Sequence, residues 1–331
     1  MQLSLKKTRM NKLISFKFWL RKLINHFWIL RKAIIPFKMI YHFIFRYLVS
    51  DKFYYQEKFS ETMGYYFDFK NPKTLNEKIQ LLKLYDRSNL HTQCADKINV
   101  RKYVSEIIGD KVLVPVLLST KNVNDINQNT LPNDPFIIKA THDSGSTLII
   151  NDKNTHDFSL IRSQIRHWLK RNYYNYSKEW QYKNIQPAII VEKLLLTSNN
   201  KIPSDIKAHC INGKVEFFQV DCNRGTDEHY RDFYLKNWEK APFTWNGNKT
   251  KEEKLKSSDL YYKKPEFLDD LIIFSEKLSA KFAYVRVDWY DCGDEFYFGE
   301  LTFHHDSGYV PILPKEWDLL FGEKLILKYL Q

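Results

Sequence analysis

Two runs near the C-terminus, VRVDWY (285–290) and EFYFGELTF (295–303), alternate hydrophobic with polar positions and are rich in β-branched and aromatic residues. The Asp291-Cys292-Gly293-Asp294 cluster between them reads as a turn, so the pattern predicts a hairpin. Side chains alternate faces along a strand, which puts Arg286, Asp288 and Tyr290 on one face and Val285, Val287 and Trp289 on the other. On the second strand Phe298, Glu300 and Thr302 are expected to share a face. If the strands share register parity, Asp288 and Glu300 lie opposite or diagonal to each other. A slip of one residue separates them and leaves an ordinary hairpin with solvated charges.

Upstream the periodicity changes. NEKIQLLKLYD (76–86), after Pro72, and ADKINVRKYVSEII (95–108), ending at Gly109, carry apolar residues at helical spacing, and VLVPVL follows as an expected strand. LPNDPFIIKATHDSGSTLIIND (131–152) reads as strand, polar loop, strand; an amphipathic helix is expected at 157–172. NYYNYSKEWQYKNI is an aromatic-rich surface or groove segment, and PAIIVEKLLL (187–196) a buried strand. DIKAHCINGKVEFFQVD (205–221) is two alternating runs joined by Asn212-Gly213, a type I′ hairpin signal. A charged loop region is expected over 224–265, then a helix at 266–280, the hairpin above, and a closing helix in PILPKEWDLLFGEKLILKYL. Helices and mostly antiparallel strands fall in blocks, the signature of α+β lobes and not of a doubly wound sheet.

A length of 331 residues permits a large core in two or three lobes, and a mean hydropathy of −0.49 describes a soluble globular protein. The net charge of +12 resembles a nucleic-acid signature until it is located. Residues 1–50 hold eleven Lys and Arg and no Asp or Glu, which leaves 40 basic against 39 acidic residues in the body. In that tail Leu13, Phe16, Leu20, Leu23, Ile24 and Phe27 recur at helical spacing beside Lys17, Arg21 and Lys22, and Pro36 divides them from a second helix at 37–49. The longest uncharged run, Leu23 to Leu30, is too short to span a bilayer, and no signal peptide is visible. The expectation is a monotopic anchor on anionic lipid, the alternative a helical hairpin packed on the body or a partner. Nucleic acid is disfavoured, because the basic residues interleave with large aliphatics that need burial. Cys94, Cys210, Cys222 and Cys292 are widely spaced without a CxxC pair, which fits a reduced cytosolic compartment without a zinc site or disulfide framework.

Two close carboxylates repel unless a positive group sits between them. A hard divalent ion such as Mg²⁺, held together with a phosphate, satisfies Asp288 and Glu300, and Arg286 can then meet negative substrate charge. In IKATHDSGST, Lys139 ends a hydrophobic strand and His142, Asp143, Ser144, Gly145 and Ser146 follow in a loop able to cradle phosphates with backbone N–H groups. The bland reading of such a loop is a plain turn; no Walker or GxGxxG motif is present. Lys207 and His209 alternate with Asp205 on one strand face, whose bland reading is an exposed face of a sheet. Trp180 and Tyr182 are either sugar-stacking or buried aromatics.

Taken in order, ADK with Lys97, IKATHDSGST with Lys139, VEK with Glu192 and RVDWY…GELTF with Asp288 and Glu300 resemble the ATP-grasp superfamily. More closely, TLNEKIQLLKLYDR, ADKINVRKYV, KEWQYKNIQP, DIKAHCINGKVEFFQVD and GELTF…SG look like the TupA-like ATP-grasp family of polysaccharide-biosynthesis proteins, over about residues 70–320. The resemblance implies an α+β ATP-grasp fold in which two lobes grip a nucleotide. With the basic extension 1–50 already set off by its charge, the resemblance divides the rest into a helical region 51–120, a lid lobe 121–192 and a C-terminal lobe 193–331. It implies that Lys97 and Lys139 grip ATP phosphates under the 142–147 loop, so that His142, Ser144, Gly145 and Ser146 belong to the nucleotide site. By the same resemblance Val191, Glu192 and Lys193 read adenine and ribose, Asp288 and Glu300 bind Mg²⁺, and Arg286 steadies a negatively charged intermediate. Lys207 and His209 join Arg286 and Lys139 as candidate catalytic groups.

Two departures bear on the chemistry. The third metal position, commonly Asn, is Thr302, a weaker neutral ligand, and the following loop is HHDSG (304–308), whose His304 and His305 are either proton-transfer groups or surface histidines. The function implied is an ATP- and Mg²⁺-dependent carboxylate–amine ligase of polysaccharide biosynthesis, acting on a lipid-linked or nucleotide-linked glycan at the cytoplasmic membrane face. The alternatives are a glycosyltransferase or other transferase of the same pathway and a non-catalytic nucleotide-binding scaffold.

Overall fold

The computed structural model describes residues 49–224, 226–246, 256–258 and 261–328. The chain divides into two compact units, Met1–Tyr54 and Tyr55–Gln331. The amphipathic helices expected at 13–27 and 37–49, and the lipid anchor they would form, lie outside the described residues except at position 49. Among the described residues no helix is long and apolar enough to cross a membrane.

The second unit is built on two antiparallel sheets. Strands β1 (Val116–Thr120), β2 (Phe136–Ala140), β3 (Thr147–Ile150) and β4 (Ile189–Lys193) form the first, in the order β1-β4-β2-β3. Strands β5 (Ser204–Ile211), β6 (Lys214–Cys222), β7 (Tyr230–Leu235), β8 (Tyr284–Asp291) and β9 (Phe296–Thr302) form the second, in the order β7-β6-β5-β8-β9. On β2 the residues alternate, Phe136, Ile138 and Ala140 being buried against Phe158, Ile161, Ile165 and Trp168 of the helix Phe158–Leu169. That spacing is one helical stripe meeting one strand face, and it turns Lys139 to the opposite face. In the second sheet Ala208, Phe218, Val285, Val287 and Trp289 pack with Leu268, Leu271 and Leu278 of the helix Leu268–Ser279. Lys207, His209, Arg286 and Asp288 therefore occupy the other face of that sheet. Asn212 and Gly213 have φ values of 49° and 78° and close the β5–β6 hairpin, as their sequence predicts.

Three sequence expectations are corrected. The helix expected at 95–108 is broken: Asn89–Ala95 and Asn99–Ile108 are separate helices. Asp96 causes the break, its carboxylate accepting the N–H groups of Ile98 at 2.9 Å and Asn99 at 3.4 Å. The strand expected at 112–117 begins only at Val116, past Pro115, which has no N–H to give a ladder. The stretch 224–265, expected to be loop, contains β7, whose Phe233 and Tyr234 are buried.

Helix Leu75–Tyr85 starts in a Thr74–Glu77 capping box and packs on helix Lys315–Lys324. The two backbones touch at Gly322, where a Cβ would collide with Lys73 O and lie 2.7 Å from the carbonyl carbon of Thr74. Gly322→Ala must separate the helices. It is expected to lower stability by about 3 kcal/mol, seen as a lower urea midpoint at unchanged slope. Asp318 joins the same helices, accepting the backbone and side-chain N–H of Asn76, both at 3.0 Å. Burial pushes its carboxyl up to about 6, against the pull of those hydrogen bonds. Its folded-state value lies above the unfolded one, so ionisation costs stability above pH 6 and the cost fades as pH falls. Relative to Asp318→Asn, the wild type should gain about 1 kcal/mol between pH 7 and pH 5 in paired urea melts.

Candidate functional site

The β8–β9 ladder brings the two acids together. Asp288 pairs with Glu300 and Arg286 with Thr302. One expectation fails here: Trp289 pairs with Phe298, so Gly299 is an extra residue in a bulge and Phe298 turns to the core face beside Trp289. A Cβ on Gly299 would lie 3.1 Å from Asp288 O and 3.4 Å from the Tyr290 ring, so a side chain there would press on the neighbouring strand by a few tenths of an ångström. Arg286 clamps Asp288 through Nε at 2.7 Å and NH2 at 2.6 Å, and NH2 also reaches Thr302 Oγ1 at 3.0 Å and lies 3.6 Å from Glu300. Burial raises the carboxyl of Asp288 in spite of Arg286 and Lys207. At Glu300 burial works the same way, but Lys97 and Arg286 outweigh it and hold the carboxyl below its usual range.

Across the cleft stand the groups of the first sheet. Lys139 bonds Glu192 at 2.8 Å, its diagonal neighbour on β4, and Arg101 approaches the other Glu192 oxygen at 3.3 Å. The Lys139 ammonium sits 5.7 Å over the Tyr290 ring of the second sheet. Burial disfavours its charge, but Tyr290 and Glu192 outweigh that and raise its pKa. The break at Asp96 places Lys97 beneath the loop after β2: its N–H donates to Thr141 O at 3.2 Å and its Nζ to Asp143 O at 2.5 Å. Burial lowers the pKa of Lys97, with the Glu300 and Asp143 carboxylates opposing.

The loop divides its residues. Ser144 and Gly145, the latter at φ 92°, line the cleft with Lys97, Lys139 and Glu192. His142 turns away to Trp168 O at 3.0 Å, and Ser146 donates its hydroxyl to Asp143. Val191 is fully buried in the first lobe's core and the side chain of Lys193 is exposed. The amides of Lys193 and Leu194 already donate to Pro115 O and Pro135 O, at 3.0 and 3.1 Å.

Lys207 is buried, and this rules out a solvent-facing β5. Its Nζ lies 2.8 Å from Asp221 and 3.8 Å from both Asp205 and Asp288, while each acid also has its own arginine: Asp205 Arg224, Asp221 Arg231 and Asp288 Arg286, all at 2.6–2.7 Å. His209 is sealed in aromatic packing, stacked on Phe217 at 4.3 Å with Nδ1 2.9 Å from Tyr284 Oη. Burial first, then His305 and Arg286, push its pKa well down. His304 and His305 are not surface groups: they are 5% and 0% exposed. His305 Nδ1 accepts from Arg286 NH1 at 2.6 Å. Tyr182 packs edge-on against Tyr173 at 4.9 Å, and Trp180 is half-buried.

Arg101, Arg224 and Tyr290 line the same cleft and were not singled out as site residues by the sequence. Arg101 follows Lys97 by four residues, a helical spacing that could have flagged it, whereas nothing local marks Arg224.

Among the described residues no group of three or more His, Cys, Asp or Glu is arranged so as to hold a metal ion. Thr302 adds no free ligand, since its hydroxyl donates to Glu300 at 3.2 Å and accepts from Arg286. What remains is an oxygen-only pair, Asp288 and the 40%-exposed Glu300 side chain, at the cleft wall. Such a pair fits Mg²⁺ in its usual protein setting, one or two carboxylates completed by substrate phosphates.

A family model described as TupA-like ATPgrasp matches residues 77–326. No curated protein matches the chain. Among solved structures, D-alanyl-alanine synthetase A from Vibrio cholerae matches at 11% identity and TM-score 0.39, covering 70% of this chain and 61% of that one. D-alanine–D-alanine ligase from Bacillus anthracis complexed with ATP matches at 15% and 0.36, covering 64% and 55%. The ATP-grasp ligase PsnB complexed with a precursor variant, Mg and ADP matches at 10% and 0.34, covering 65% and 52%. The chain thus spans about half to three fifths of the length of these structures, and the scores are too low to bear on activity.

Proposed function

The chain belongs to the TupA-like ATP-grasp family, and on that premise we propose an ATP- and Mg²⁺-dependent ligase that joins a carboxylate to an amine on a glycan precursor. Its two sheets are the lobes of the α+β ATP-grasp fold. The observation that carries the reading is the meeting of Lys97 and Lys139 with the Asp288–Glu300 pair across one cleft.

Phosphoryl transfer needs position and charge neutralisation more than covalent help from the protein. Lys97 and Lys139 supply positive charge for the phosphates, and Ser144 and Gly145 bring hydroxyl and backbone N–H groups to the same wall. Glu192 holds the Lys139 ammonium in place through its 2.8 Å bond. Asp288 and Glu300 would hold Mg²⁺, which neutralises charge on the transferring group. The substrate carboxylate attacks the γ-phosphorus and ADP departs; the amine then attacks the acyl carbon, phosphate leaves and the amine gives up a proton. Arg286, fixed by Asp288 and His305 behind the Asp288–Glu300 wall, is the group we assign to stabilising the anionic intermediate.

The test is full-length protein with ATP, Mg²⁺ and candidate acyl and amine substrates. ADP and phosphate should appear together, in step with the amide. Release of a nucleoside diphosphate from a sugar nucleotide, without ATP turnover, would instead establish the transferase reading. Residues 1–50, with eleven basic residues and no acid, would keep the enzyme where lipid-linked precursors are, at the cytoplasmic face of the membrane. Deleting them should move the protein from anionic liposomes to the soluble fraction at physiological salt; unchanged co-sedimentation would contradict the anchor.

A further inference from the structure

We propose that Gln80 and Lys83 are positioning residues for this site: they fix the loop 305–308 so that His305 holds Arg286 against Asp288. The inference rests on the ligase reading above, and its test separates the two.

Asp306, Ser307 and Gly308 have φ values of 44°, 53° and 66°, three consecutive residues in the left-handed region of which only the last is glycine. Side chains resist that region, and strained runs persist where their surroundings over-determine them, often at functional sites. Here helix Leu75–Tyr85 does the holding. Gln80 Nε2 donates to Ser307 O at 3.0 Å and Gly308 O at 2.9 Å, and Lys83 Nζ donates to Ser307 O at 2.8 Å. The contact is so close that a Cβ on Gly308 would lie 2.5 Å from Gln80 Nε2 and 3.1 Å from Asn76 O.

The loop's other side faces the site. His305 Nδ1 accepts from Arg286 NH1, Asp306 Oδ2 lies 3.3 Å from His305 Nε2 and 3.6 Å from Arg231 NH1, and Ser307 Oγ donates to Glu179. One edge of the Arg286 guanidinium is therefore set by Asp288 and the remaining nitrogen by His305. Loosening the loop frees that nitrogen and leaves the guanidinium held only by Asp288 and Thr302, although neither Gln80 nor Lys83 touches the cleft. The chemistry of Lys83 agrees. It is fully buried, with Nζ 4.3 Å from the Tyr55 ring centroid and 4.1 Å from that of Tyr309. The ammonium is thus held by the Ser307 carbonyl and by two ring faces, one of them Tyr309 next to the loop. The TLNEKIQLLKLYDR segment, which lies outside both sheets, thereby acquires a role in the site.

Full-length Lys83→Met and Gln80→Leu test the proposal, with ATP and Mg²⁺ as the only ligands and ¹⁵N-histidine labelling as a second readout. The expected result is a fall of about tenfold or more in kcat for ATP hydrolysis to water, with KM for ATP within about threefold of wild type. The His305 imidazole resonance, assigned by its loss in His305→Gln, should shift in both variants. Folded variants with unchanged kcat and an unmoved resonance overturn the proposal, as does loss of near-ultraviolet circular dichroism in both, which assigns the residues to folding alone. If the wild type hydrolyses no ATP without an acyl substrate, the His305 resonance decides the positioning by itself, and the ligase reading is judged separately by ADP release with acyl and amine substrates.

Discussion

Glu300→Gln is expected to lower ATP turnover by about 10²-fold or more while shifting stability by less than about 1 kcal/mol. The substitution keeps the volume and an amide oxygen able to accept from Thr302, which now lies 3.2 Å away. It removes one negative charge from a wall where Lys97, Arg286, Lys207 and Arg224 all act on Glu300. Mg²⁺ binding depends on anionic oxygen, and an amide is a poor substitute. The small stability effect follows from the 40% exposure of the Glu300 side chain and its 3.6 Å separation from Arg286. Asp288→Asn is the poorer probe. Asp288 is buried in a two-bond clamp with Arg286, so its loss mixes folding with chemistry. Paired urea melts and initial rates of ADP release check both halves of the expectation, and a Glu300→Gln enzyme at wild-type rate would remove the acid from the mechanism.

Lys207→Met should be the most destabilising single change in the second sheet, by about 3–5 kcal/mol. The ammonium is the hub shared by Asp205, Asp221 and Asp288, all buried, and each acid's own arginine neutralises only its own charge. Without the hub each acid keeps its arginine, but Asp221 loses its 2.8 Å partner and the three buried carboxylates lose the cation that lies between them. Burial pushes the Asp221 carboxyl up, but Lys207 and then His229 and Arg231 pull it far below its usual range, so the fold relies on it ionised. Lys214→Met is the control. Lys214 pairs with Glu276 at 2.7 Å but its side chain is 70% exposed, and such pairs contribute about 0–1 kcal/mol. A Lys207 variant no weaker than the Lys214 variant would show that the three acids are not held by a common cation.

The local patterns of the chain were enough to place much of this. Period-two alternation located β8 and β9 and the hydrophobic run of β2 ending in Lys139, and Asn212-Gly213 fixed the β5–β6 turn. What was missed depends on pairing or on single side chains. The bulge at Gly299 exists only relative to Asp288 and Trp289 on the neighbouring strand, so alternation along β9 alone put Phe298 on the wrong face. The break between helices at Asp96 hides inside a continuous helical period, because a capping carboxylate and a surface helical one have the same sequence appearance. His304 and His305 read as surface histidines because nothing in HHDSG announces that helix Leu75–Tyr85, more than two hundred residues upstream, buries the loop. Arg224 reaches Asp205 from a loop with no regular period, where spacing carries no information.

The central claim is that the cleft between Lys139 and Asp288–Glu300 binds ATP with Mg²⁺. Calorimetric titration of ATP into the full chain, with Mg²⁺ and then with EDTA, tests it most directly. The expected result is one site whose affinity falls when Mg²⁺ is removed and falls again in Lys139→Met, a variant in which Glu192 still has Arg101 at 3.3 Å as a partner. No heat with ATP, or equal binding with and without Mg²⁺ that Lys139→Met leaves unchanged, would contradict it.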